Sequence, residues 1–135
     1  MIVDTSALLA YFDVNEPRHE AVSEVIDSAS GPFVVSPYIV AELDYLVLTR
    51  HGSAAEHAVL EELTSGAWEL APMDRGRLAV ASRVVARYVD VPIGVADASN
   101  IVLAQDYHTT DILTLDRRHF AILRFDDGTS PRVLP

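Results

Sequence analysis

A three-layer α/β/α fold, with a mostly parallel central sheet of four to five strands, is what the sequence predicts. Three observations predict it. Short apolar runs rich in β-branched residues, at 1–3 and Phe33–Val35 and again at 111–116, read as strands buried on both faces. Segments with helical spacing separate them, and that alternation implies a parallel sheet covered on both sides. The length of 135 residues, half of them hydrophobic, suits one domain spanning 1–135 with a sizeable core.

The first strand stops at Asp4, and Thr5 and Ser6 follow as helix-start residues before Ala7, Leu8, Leu9 and Ala10. Residues 17–30 read as a helix, with Ala21, Val22, Val25, Ile26 and Ala29 as its apolar stripe. Gly31-Pro32 stops it. Ser36 and Pro37 open the next helix, 37–50, as cap and first helical residue. Its stripe is Ile39, Val40, Leu43, Leu46 and Val47. Ser53 with Glu56 forms a capping-box pattern for a helix to about 64, which Gly66 ends. Residues 67–71 read as a strand in which Trp68, the only tryptophan, packs. Asp74 caps a helix to about 89 whose inner face is Leu78, Ala81, Val85 and Tyr88. After a break at 91–94, residues 95–104 form a helix apolar nearly all round, which marks it as buried. The strand 111–116 is followed by a helical turn, Arg117–Phe120, and by a possible edge strand, Arg132–Leu134, beside Pro131 and Pro135.

Composition excludes several chemistries. The absence of cysteine removes disulfides, thiolate zinc sites, iron–sulfur clusters and cysteine nucleophiles. It also fits a reducing cytoplasm. No apolar run approaches the ~18 residues of a membrane span, and no basic region precedes an apolar one at the N-terminus. A cytoplasmic protein without membrane contact is expected. The formal net charge of −10 argues against ordinary nucleic-acid binding. Net charge governs solubility and long-range steering, however, not the chemistry of one cleft. The ten basic residues are all arginine, and Arg117 and Arg118 adjoin an acid.

Four acids occupy unusual settings. Asp4 and Asp116 end strands, Glu42 shares a helix face with Ile39 and Leu46, and Asp97 begins the buried helix, one turn from Asn100. Asp44 points away from the Glu42 face. Each acid has an ordinary alternative: a helix cap for Asp4, an ion pair for Glu42, dipole complementation for Asp97. If the strand ends meet at one edge, the four converge. Two carboxylates ~4 Å apart repel by about 4 kcal/mol at an effective dielectric near 20, so convergence calls for cations or protons. Oxygen-only ligands suit hard ions, Mg²⁺ or Mn²⁺, which serve phosphoryl chemistry.

In this pattern the chain resembles the PIN-domain family, specifically VapC-type toxins of bacterial toxin–antitoxin pairs. The matching pieces are Ile2-Val3-Asp4-Thr5-Ser6-Ala7-Leu8, Ser36-Pro37 through Ala41-Glu42-Leu43, Ala96-Asp97-Ala98, and Leu113-Thr114-Leu115-Asp116 with Phe120. They stand in the family's order over nearly the whole chain. The resemblance implies catalytic acids Asp4, Glu42, Asp97 and Asp116, with Asp4 and Asp97 on the metal and Asp116 at the family's most variable position. Ser6, Asn100 and Thr114 would orient the acids or water. It implies a PIN-like sandwich and a Mg²⁺-dependent endoribonuclease, Mn²⁺ substituting, that cuts structured RNA such as tRNA or rRNA and inhibits translation. It further implies a homodimer and a VapB-like antitoxin that blocks the cleft. Arg117, Arg118 and His119 are the expected contacts to RNA phosphate.

Other readings remain. A haloacid-dehalogenase-like phosphatase wants a second Asp two residues after the first, where Ser6 stands. A receiver domain wants a late Lys, and the chain has none. None of the five histidines lies in a nucleophile-elbow motif. A non-catalytic PIN-like scaffold binding RNA or protein is the other alternative. The sequence reading also expects Asp4→Ala to leave the fold intact.

Overall fold

The computed structural model describes residues 1–135. Five strands form one sheet: β1 (Ile2–Val3), β2 (Phe33–Val35), β3 (Trp68–Leu70), β4 (Asp111–Leu113) and β5 (Arg132–Leu134). All are parallel, in the order β3-β2-β1-β4-β5. Seven helices accompany them: α1 (Thr5–Phe12), α2 (His19–Ser28), α3 (Pro37–His51), α4 (Ser53–Leu63), α5 (Arg75–Arg87), α6 (Val95–Asp106) and α7 (Arg117–Phe120). This is the α/β/α architecture the alternation predicts.

The layers follow from strand periodicity. Ile2, Val34 and Ile112 face one side and join a core with α5, α6 and Phe120. Their neighbours Val3, Val35 and Leu113 face the other and join a core with α1 to α4. Successive side chains point to opposite faces, so even a two-residue strand must be apolar throughout. Right-handed crossovers then fix which helices lie where. From β1 the chain steps outward through β2 to β3, with α1–α4 on one face. It then returns to β4 on the far side of β1, so α5 and α6 fall on the other. The order in which the chain steps across the sheet reverses between β1 and β4, and ligands of open α/β sheets bind outside the carboxyl ends at that switch point.

Trp68 packs as expected. It is nearly buried, its ring centroid 5.6 Å from that of Tyr11 and 5.8 Å from that of Phe33, and its indole N–H donates to Glu62. Several boundaries move. The helix expected from 17 starts at His19, because tight turns built on an Asp13–Asn15 hydrogen bond consume the preceding residues. The Ser53–Glu56 capping box does not form: Gly52, at φ +85°, ends α3 and begins α4 with no side-chain cap. Leu78 lies on the exposed side of α5, where Ala81 and Val84 are the buried residues. The strand expected to reach Asp116 ends at Leu113, and Thr114 adds one more N–H bond, to Leu134. No helix is long and apolar enough to cross a membrane.

Candidate active site

At the β1/β4 switch point a cleft of about 200 Å³ is lined by Asp4, Thr5, Ser6, Leu9, Glu42, Leu46, Asp97, Asp116 and His119. All four acids singled out from the sequence line it. No arginine does.

Asp4 leaves β1 and caps α1. Its Oδ1 accepts from Asn100 Nδ2 at 3.0 Å. Its Oδ2 accepts from Ser6 Oγ at 2.8 Å and Thr114 Oγ1 at 2.7 Å, with the Ser6 N–H farther off at 3.4 Å. The two hydroxyls also accept, Ser6 from the Leu115 N–H and Thr114 from the Asp116 N–H. Each hydroxyl therefore spends its one proton on Asp4 and its lone pairs on the turn after β4. That turn carries Asp116. The network thus couples the orientation of Asp4 to the path that delivers Asp116. Asn100 and Thr114 are fully buried, so water cannot replace these bonds.

Asp97 lies in the first turn of α6, and its Oδ2 accepts from the Gly94 N–H at 3.2 Å. Burial pushes its carboxyl above the ordinary range. The negative charges of Asp4 and Asp116 push the same way, against the Gly94 N–H and His119. Asp116 caps α7, its Oδ1 accepting from the N–H groups of Arg118 and His119. The ordinary and functional readings of these acids are therefore both true. Asp4, Asp97 and Asp116 each stabilise a helix start, and three positive helix ends converge on one cleft, which offsets the mutual repulsion of the acids.

Glu42 departs from the expectation. The buried stripe of α3 is Ile39, Leu43 and Val47, and Glu42 is exposed. It stands beside the stripe, on the cleft wall with Leu46, so no cost of buried charge arises. Thr5 Oγ1 donates to its Oε2 at 2.5 Å. Thr5 escaped the sequence reading as a site residue. Arg117 and Arg118 also differ from expectation. Arg117 donates to the carbonyl oxygen of Pro135 and so ties the chain end to α7. Arg118 is exposed outside the cleft. His119 lies inside it, contacting Asp97 and Asp116.

The donor set fits a hard divalent cation. Asp97 Oδ1 and Glu42 Oε1 have no hydrogen-bond partner, and Asp4 Oδ1 keeps one lone pair beyond its bond to Asn100. No three acidic or histidine side chains form a ready-made cage. Mg²⁺ does not require one, since it keeps several waters and binds through one or two carboxylates. Asn100 Oδ1 is a buried acceptor without a donor. Turning the amide over would set oxygen against Asp4, so the orphan is the carbonyl.

Known proteins resemble the chain in sequence and in fold. The PIN domain family profile matches residues 1–126. Ribonuclease VapC26 of Mycobacterium tuberculosis (strain ATCC 25618 / H37Rv) is 60% identical over 135 residues, covering 100% of both chains. The crystal structure of Mycobacterium tuberculosis VapC20, a sarcin–ricin loop cleaving toxin, superposes with a TM-score of 0.81. It covers 89% of this chain and 92% of that one, at 18% identity, and so bears on the fold alone. The chain belongs to the PIN-domain family, among its VapC-type members.

Proposed function

We propose that this protein is a divalent-cation-dependent endoribonuclease, the toxin of a toxin–antitoxin pair, that cuts structured RNA and so arrests translation. The observation that carries the reading is the convergence of Asp4, Glu42, Asp97 and Asp116 on one cleft at the sheet's switch point, with no arginine among them. The 60% identity to a protein called a ribonuclease supports it.

Asp4 and Asp97 would hold Mg²⁺, or Mn²⁺ in its place, through their free oxygens. When bound, the ion supplies charge stabilisation at the phosphate and a more acidic water. The residues of the chain do the rest. Ser6, Thr114 and Asn100 fix the carboxylate plane of Asp4. Thr5 holds one oxygen of Glu42 and leaves the other facing the cleft, placed to take a proton from the attacking water. The P–O bond to the 3′ oxygen breaks, leaving a 5′-phosphate and a 3′-hydroxyl. Asp116 supports the site by capping α7. Arg118, exposed at the first turn of α7, is the remaining candidate for an RNA phosphate. The negative charge of the chain suits a VapB-like antitoxin with a basic segment. The same reading has the protein act in the cytoplasm as a homodimer.

Purified protein incubated with total RNA and Mg²⁺ tests this, the new ends being sequenced. A few discrete cuts bearing 5′-phosphates, absent in EDTA, are expected. RNA left whole with both Mg²⁺ and Mn²⁺ would leave the scaffold reading in its place.

The two acids of α3 offer an internal control. Glu42→Gln is expected to slow cleavage by about 10²-fold or more, the usual worth of a positioned proton acceptor. Asp44, turned instead toward Glu56, should tolerate alanine with an unchanged rate and a stability within about 0.5 kcal/mol. Equal losses in single-turnover assays of the two variants would contradict the placement of Glu42 on the cleft wall.

A further inference from the structure

His119 Nδ1 lies 3.2 Å from Asp97 Oδ2 and 3.3 Å from Asp116 Oδ2. The atom thus stands between two carboxylates, one in the first turn of α6 and one capping α7. The other oxygens of these acids differ. Asp116 Oδ1 already accepts two backbone N–H groups, whereas Asp97 Oδ1 accepts none. A cation seeking Asp116 would therefore take Oδ2, the oxygen against which His119 Nδ1 is packed. A cation held by Asp4 Oδ1 and Asp97 Oδ1 would leave that contact alone. We propose that His119 limits this centre to one divalent cation, by filling the gap between Asp97 and Asp116 that a second would occupy. The inference rests on the metal-dependent reading above.

Two further features support it. Two-metal centres set their ions ~3.5–4 Å apart, which requires an acid standing between the two outer ones. Asp97 lines the cleft together with both Asp4 and Asp116. The carboxylates for a second position are thus present, and the imidazole stands between two of them. The ring is also held in place. Its side chain is only 17% exposed, the next residue, Phe120, is buried, and the His119 carbonyl accepts from the N–H groups of Ile122 and Leu123. His119 is a positioning residue in this account. It keeps Asp116 as a helix cap and leaves Asp97 one oxygen for metal.

Isothermal titration of Mn²⁺ into the full chain, without RNA, reads the cation number directly. Wild type is expected to bind one. His119→Ala is expected to bind two, with His119→Ser serving the same purpose if the alanine variant does not fold by circular dichroism. His119→Asn places an amide nitrogen the same number of bonds from the backbone as Nδ1, and should restore one. Adding Asp116→Asn to His119→Ala should also return the count to one. Two cations in wild type, or one in His119→Ala, would overturn the inference while leaving the metal reading standing. No binding by either protein would remove both.

Discussion

Asparagine in place of Asp97 is expected to abolish cleavage and, in EDTA at neutral pH, to raise the melting temperature. The first effect follows from losing a ligand of the ion. Metal stabilisation of developing charge is worth several kcal/mol, and each ~1.4 kcal/mol is tenfold in rate, so a loss of about a thousandfold is expected. The second effect follows from the electrostatics of the unliganded cleft. Burial, with Asp4 and Asp116 adding to it, raises the Asp97 pKa in the folded protein above its ordinary 3.8. Between the unfolded and folded values the native state holds a proton that the unfolded state has released. Stability is therefore full below 3.8 and falls as pH rises through the folded value. At pH 7 the wild type carries that loss and the asparagine variant does not. The variant can still accept from the Gly94 N–H through its amide oxygen. Mg²⁺ should reverse the ranking, because an ion at 100 times its Kd stabilises wild type by about 2.7 kcal/mol. Thermal melts of both proteins with EDTA and with Mg²⁺, from pH 4 to 7, check this. A variant that melts below wild type in EDTA at pH 7 would contradict the account.

The central strands were legible in the sequence because burial on both faces forces their inner residues to be apolar, so Ile2-Val3, Phe33-Val34-Val35 and Ile112-Leu113 carry a signal that two or three residues suffice to give. The order of the strands was not, since register and neighbour depend on contacts between distant segments. The site acids stood out for a related reason. Asp4 and Asp97 interrupt apolar surroundings, and charge in such a place needs a compensating group. Glu42 was found on a partly mistaken argument. Helical geometry set it in one row with Ile39, but the buried edge of α3 runs through Leu43 and Val47, and Glu42 is one step round into the cleft. The error is a rotation of less than one residue, below what a 3.6-residue period resolves in a 15-residue helix. The roles of Thr5 and His119 were hidden because each acts on a partner more than 20 residues away, Glu42 and Asp97 respectively. Nothing local to either residue announces such a contact. His119, between two arginines and a phenylalanine, looked like a surface cation.

Alanine in place of Asp4 is expected to remove activity as fully as the Asp97 change, but with the opposite effect on stability. The sequence alone suggested a loss of activity with the fold left intact. The structure shows a hub: Ser6 Oγ, Thr114 Oγ1 and Asn100 Nδ2 all donate to this one carboxylate within 3.0 Å. Thr114 and Asn100 are fully buried, and a buried donor left without its acceptor costs about 1–3 kcal/mol. Losing the cap of α1 costs about 0.5–2 kcal/mol more. The hydroxyls can recover part of this by turning toward each other across 3.1 Å, whereas Asn100, whose oxygen already lacks a partner, would have none at all. A net loss of about 2–4 kcal/mol is expected, seen as a lower urea midpoint at an unchanged m-value. The two sites also couple. The Asp4 charge is one of the causes that disfavour ionised Asp97, so Asp97→Asn should stabilise the Asp4→Ala background less than it stabilises wild type. Full additivity in that double-mutant cycle would mean that the two carboxylates do not sense one another, and the shared cleft would lose its electrostatic basis.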